Sequence, residues 1–175
     1  ELVRVAQRVR DGESEIGVTE LPIELAGLSA HLLERQEYVA LVPRSLANHL
    51  GSSRITIARL ADQPLVTTPT GTSTRRQLDD ALEAAGLESQ VAVETDYREA
   101  IPALVRAGAG VAVLPRPLAE AAASGEVAVL RISPTIRRDV GIIHRATALA
   151  PAAAAFVTTA LDLPLRPTRP RPRRR

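Results

Sequence analysis

The chain contains no cysteine, methionine, tryptophan or lysine, and only two tyrosines and one phenylalanine in 175 residues. Without cysteine there are no disulfides, no thiolate nucleophile and no cysteine-ligated metal, so the fold rests on packing alone. No stretch approaches the roughly 18 uninterrupted apolar residues of a membrane span, and no charged-then-apolar opening resembles a signal peptide. A cytoplasmic location is expected. Without methionine there is no initiator, and the chain opens at Glu1 inside what reads as a helix, so we expect a fragment of something longer.

With lysine absent, all 22 basic residues are arginine. Six of them fall in the last ten residues, and the preceding 165 carry 16 arginines against 20 carboxylates, a net −4. The pI near 9.9 therefore belongs to a terminal run and not to a basic surface built for a phosphate backbone. That run, RPTRPRPRRR over 166–175, alternates Pro with Arg, has nothing to bury and is expected to be disordered. The body is long and apolar enough for one large or two small units with a real core.

Strand-like runs alternate with helical periodicity along this body. Leu2, Val5, Ala6 and Val9 have helical spacing before Gly12, while EIGV (15–18), EYVALVP (37–43) and PLVTT (64–68) read as strands. Residues 55–61 read as a short strand or turn leading into a small helix. Residues 72–87 give the best helix, with Leu78, Ala81, Leu82 and Ala85 as one apolar stripe, hydroxyl caps before it and Gly86 after it. Then follow VAVE, a helix over about 97–107, VAVL, a short Ala-rich helix after Pro117, VAVLRI, VGIIH, and a last helix from Pro151 to about Leu161. Pro102 conflicts with a helix capped by Asp96 and Glu99, which requires either a kink or a later start. Continuous apolar runs such as VAVL and VGII suit strands covered on both faces by helices, so the fold class is α/β. Gly108 and Gly110 lie between helix and strand, opposite to the strand, loop, helix order of a phosphate loop, and read as structural glycines.

Five segments in order, RVRDGESEIGV (8–18), LERQEYVALVPRSL (33–46), ITIARLADQPLVTTPTGTSTRRQLDDAL (55–82), YREAIPALVRAGAGVAVLPRPLAE (97–120) and RRDVGIIHRATALAPAAAAFV (137–157), resemble the C-terminal effector-binding domain of LysR-type transcriptional regulators. The most specific part is LVRAGAGVAVLP. The resemblance implies a two-lobed periplasmic-binding-protein-like fold of type 2, with a small-molecule cleft between two α/β lobes. The first lobe would comprise 1–43 plus 136–165 and the second 44–135, with crossovers near 41–43 and 137–140. It also implies that a strand, helix and strand before Glu1, and an N-terminal winged helix-turn-helix, are missing here, leaving the first lobe incomplete at its N-terminus.

Ligands in open α/β sheets sit outside the carboxyl ends of strands, which points to the loops after EIGV, PLVTT and VAVE. Thr68 closes PLVTT. In the loop 69–76, Thr70, Thr72, Ser73 and Thr74 set hydroxyls beside the free N–H groups of a helix N-terminus, an arrangement that favours a carboxylate, and Arg75 or Arg76 adds charge. Thr19 and Glu20 follow EIGV at the matching edge of the first lobe, and Tyr97 begins a helix facing the same cleft. His31, His49 and His144 are far apart and lack ligand spacing, so no metal is expected. With no G-x-S-x-G elbow, and with Asp79 and Asp80 on different helix faces, no catalytic residues and no cofactor are expected either.

The reading is thus the ligand-sensing domain of a transcriptional regulator. A small, carboxylate-bearing effector would bind between the lobes, change their angle and so control DNA binding through the missing N-terminal domain of a homodimer or homotetramer. A solute receptor or an enzyme on the same scaffold is the alternative, since fold does not settle function.

Overall fold

The structure is a computed structural model that describes residues 2–50 and 53–163. The tail expected to be disordered, 166–175, and the last two residues expected in the first lobe, 164–165, lie outside the described residues. In chain order the elements are α1 (Leu2–Arg10), β1 (Ile16–Leu21), β2 (Leu28–Pro43), α2 (Arg44–Leu50), β3 (Arg54–Thr56), α3 (Ile57–Ala61), β4 (Pro64–Thr67), α4 (Ser73–Glu83) and β5 (Gln90–Glu94). After a single 3₁₀ turn at Arg98–Ala100 come α5 (Ile101–Arg106), β6 (Ala112–Pro115), α6 (Arg116–Ala122), β7 (Val127–Ser133), β8 (Arg137–Arg145) and α7 (Pro151–Asp162). This is a mixed α/β chain. No helix among the described residues is long and apolar enough to cross a membrane.

The described residues divide into two compact units, Gln36–Arg138, and Leu2–Arg35 together with 139–163. The chain passes from one to the other inside β2 and again inside β8. The sequence reading ends the first lobe at 43 and resumes it at 136. The division at 35/36 has a physical reason in pairing, because Tyr38–Leu41 lie antiparallel to β6 and Val39–Pro43 antiparallel to β7, both within the Gln36–Arg138 unit.

In that unit β3 pairs parallel with β7, and β4 pairs parallel with β5 and bridges to Val111. Successive strand residues point to opposite faces, and here both faces are filled. Tyr38, Ala40 and Val42 join Ile55, Leu60, Leu78 and Leu130 in one apolar cluster, while Val39 and Leu41 join Ile101, Val105 and Leu114 in another. That is why EYVALVP is apolar without alternation. Gly110 has φ 150°, and a Cβ there would overlap the carbonyl oxygen of Pro64. The same carbonyl accepts the Val111 N–H at 2.8 Å, so the bare glycine lets the segment before β6 dock on β4.

The other unit pairs β1 antiparallel with β8 from Ile16 opposite His144 to Leu21 opposite Asp139. Its apolar cluster is small, with Ala6, Val9, Leu28 and Ile143 buried. A Cβ on Gly17 would crowd Val5 and Val9, so α1 packs tightly over β1 at that point.

Five local readings change or are decided. The strand expected at 15–18 runs to Leu21, because its pairing with β8 continues that far. Residues 28–36, given no element in the sequence reading, form the first half of β2, and 44–50 form α2. Pro102 sits in the first turn of α5, where no acceptor needs its missing N–H, so the helix starts later and is not kinked. Asp96 does not cap it: the 3₁₀ turn has no side-chain cap, and Thr95 Oγ1 takes the Tyr97 N–H at 3.1 Å.

Candidate functional site

Between β4 and α4 the chain turns at Thr68, Pro69, Thr70 and Gly71, with Gly71 at φ 86°. Thr72 is the N-cap of α4, extended at φ −75° and ψ 151°, and its hydroxyl accepts the Arg75 N–H at 3.4 Å. That hydroxyl also donates to the Pro69 carbonyl at 2.9 Å and lies 2.6 Å from Thr68 Oγ1. A hydroxyl has one hydrogen. With the Thr72 hydrogen on Pro69, the Thr68 hydroxyl must be the donor in the short Thr68–Thr72 contact. Both hydrogens are therefore committed inside the loop, and neither is available to a guest.

Thr68, Pro69, Thr70, Gly71 and Thr72 form one wall of a cavity of about 520 Å³, and Asp96, Arg98 and Glu99 form the other. Thr68 is buried and Thr70 exposed, so Thr70 presents the accessible hydroxyl. The Arg98 Nε is enclosed and has no hydrogen-bond partner, a cost that this part of the fold carries. Asp96 and Glu99 outnumber this cation in the lining. Tyr97, expected to face a ligand, is 74% exposed and does not line the cavity.

Thr74 does not face the loop. It is 3% exposed and lies with Leu78 and Leu82 on the buried side of α4. Arg75, expected to add charge, is held by Asp79 at 2.9 Å and by Glu94 at 3.3 Å.

Ser73, the first residue of α4, has a cationic neighbour that sequence reasoning missed. Arg138 Nη1 donates to Ser73 Oγ at 3.3 Å, and its Nε and Nη2 donate to Gln36 Oε1 at 2.9 and 2.7 Å. Its guanidinium carbon lies 5.5 Å from the centroid of the Tyr38 ring. Arg138 is 65 residues from Ser73 in the chain, and no local pattern marks it.

In the other unit, Thr19 and Glu20 are buried within β1, 5% and 7% exposed, and not in a loop after it. The Thr19 hydroxyl has no hydrogen-bond partner. The same unit joins two histidines that the sequence separates: His31 Nε2 and His144 Nε2 are 3.2 Å apart, with the ring planes at 13°. His144 Nδ1 lies 2.7 Å from the Arg145 carbonyl, which can only accept, so Nδ1 carries hydrogen, and one hydrogen is shared between the two Nε2 atoms. No group of three or more His, Asp or Glu able to hold a metal occurs among the described residues.

The family model described as the LysR substrate binding domain matches residues 1–163. HTH-type transcriptional regulators of Mycobacterium tuberculosis and Mycobacterium bovis are each 34% identical to this chain over 112 residues, which is 62% of this chain and 36% of theirs. The chain thus spans about a third of the length of these curated relatives. Among solved structures, the CcmR regulatory domain of Synechocystis in complex with 2-PG aligns with a TM-score of 0.80 at 20% identity, covering 92% of this chain and 78% of that one. The reduced OxyR regulatory domain of Pseudomonas aeruginosa aligns at 0.73 and 25% identity, covering 91% and 78%. The effector-binding domain of QuiR in complex with shikimate aligns at 0.73 and 19% identity, covering 90% and 75%.

Proposed function

Because the chain belongs to the LysR substrate-binding domain family, we propose that its Gln36–Arg138 unit holds a small effector against the loop from Thr68 to Ser73. The observation that carries this reading is the cavity of about 520 Å³ at the carboxyl end of β4, walled by Thr68, Thr70 and Thr72 and by Arg98. Its size is within the usual range for a metabolite site. The effector-bound neighbours, with 2-PG in CcmR and shikimate in QuiR, support an acidic small molecule.

In the intact protein the effector acts as an allosteric signal. It must bind one arrangement of the sensor more tightly than another, since a ligand with equal affinity for both shifts nothing. The helix-turn-helix regulators among the curated relatives support an N-terminal DNA-binding domain as the output, in a homodimer or homotetramer working in the cytoplasm. No step of this role requires turnover, and we read the chain as a sensor and not an enzyme.

The test is a thermal-shift screen of the chain against small carboxylates and aromatic acids, repeated with Thr70→Ala and Thr72→Ser. A compound at about 100 times its Kd stabilises the native state by roughly 2.7 kcal/mol. The expected result is a stabilising compound whose effect falls in Thr70→Ala and is largely kept in Thr72→Ser, which retains the cap. Hits indifferent to Thr70 place the effector elsewhere, and a broad panel without hits overturns the sensor reading.

A further inference from the structure

We infer that Arg138, together with Ser73 at the start of α4, is the oxyanion-selecting element of this sensor; the inference rests on the effector reading above and names the chemical class of the effector group. An anion needs hydrogen-bond donors. The hydroxyl hydrogens of Thr68 and Thr72 are committed within the loop, and Arg75 is neutralised by Asp79 and Glu94. Arg98 faces the cavity, but Asp96 and Glu99 share its lining and offset its charge, so it does not by itself select an anion.

Arg138 differs on each count. Its three contacts are to neutral groups, the Gln36 amide oxygen and the Ser73 hydroxyl, and no carboxylate among the described residues pairs with it. Of a guanidinium's five N–H groups, those contacts use three. The remaining two sit on Nη1 and Nη2, in the fork geometry that fits a carboxylate or phosphate edge. Gln36 and the Tyr38 ring fix the guanidinium plane without cancelling its charge. The first-turn N–H groups of α4, an eleven-residue helix, reinforce the positive potential at Ser73.

The experiment is a titration of the ¹⁵N-labelled chain with sodium phosphate and, separately, sodium malonate, at constant ionic strength against chloride. The Ser73 amide and the Arg138 Nε–H are the probes. Saturable shifts at both are expected, with affinity falling about tenfold or more in Arg138→Gln, the loss of a charged hydrogen bond. Arg137→Gln, which removes an equal charge next door, should stay within about twofold. Arg138→Lys keeps the charge without the fork and should fall between, so it carries the test if Arg138→Gln fails to fold. Whichever anion saturates first separates a phosphate from a carboxylate preference. Absence of saturable shifts at Ser73 and Arg138, or unchanged binding in Arg138→Gln, overturns the inference. If the compound screen gives Thr70-dependent hits while no anion binds here, only the Arg138 assignment falls. If anions bind here and the screen is empty, the anion site stands but the effector reading falls, and with it this site's role in a sensor.

Discussion

The two halves of β2 share one run of backbone and differ in almost everything else. From Tyr38 to Val42 all five side chains are buried, whereas from Leu28 to Glu37 only Leu28 is. The late half has an apolar cluster on each face. The early half instead carries His31, bonded to His144, and Arg35, bonded to Asp139. A strand is thus defined by its pairing, and what lies above and below it decides whether its side chains hold the fold or remain available for polar contacts.

The sharpest way to break this comparison is to remove one leucine from each half. Leu41→Ala in the late half, where Leu41 is 0% exposed, is expected to cost about 2–5 kcal/mol, a lost side chain plus a cavity. Leu32→Ala in the early half, where Leu32 is 49% exposed, should stay within about 0.5 kcal/mol. Urea unfolding of both variants decides it, and equal costs would end the distinction.

A smaller effect is expected where the halves meet. Glu37 receives Arg116 Nη2 at 2.6 Å, with both side chains about three-quarters buried, and Arg116 also reaches Glu120 at 3.2 Å. Partial burial alone would lower the Arg116 pKa, but its hydrogen bonds to Glu37 and Glu120 and their charges hold it above the ordinary value. Glu37→Gln should cost up to about 1 kcal/mol, read as a lower urea midpoint at unchanged slope.

The smallest effect is a matter of pH. The hydrogen bond and charge of Arg35 hold the Asp139 carboxyl below the usual aspartate range. A depressed carboxylate contributes stability that is fully present above its unfolded pKa of about 3.9 and lost as pH falls through the folded value. Asp139→Asn should therefore lower Tm slightly at pH 7, by a margin that shrinks as pH falls below about 3.9. A difference that does not shrink on acidification assigns the effect to packing and not to charge.

The same contrast explains what could be read from the sequence. Tyr38–Val42 announces itself because double-sided burial writes an unbroken apolar run, and the loop from Thr68 to Thr72 does so because a cap and its helix are local in the chain. The early half of β2 mixes His31, Glu34, Arg35 and Gln36 with leucines at no clean period of two, so neither template fits. Thr74 looked like its neighbours Thr72 and Ser73, yet the turn of the helix carries it to the buried side. Arg138 meets Ser73 and Gln36 across 65 and 102 residues, and His31 meets His144 across 113. Such meetings are set by strand register, which spacing along the chain does not encode.

The Thr72 hydroxyl gives the loop its own gauge. One oxygen ties Thr68, the Pro69 carbonyl and the Arg75 amide together, so a guest that claims it must loosen the first turn of α4. Deuterium uptake at the Arg75 amide then times the tie directly: slow while the knot holds, fast once it is undone.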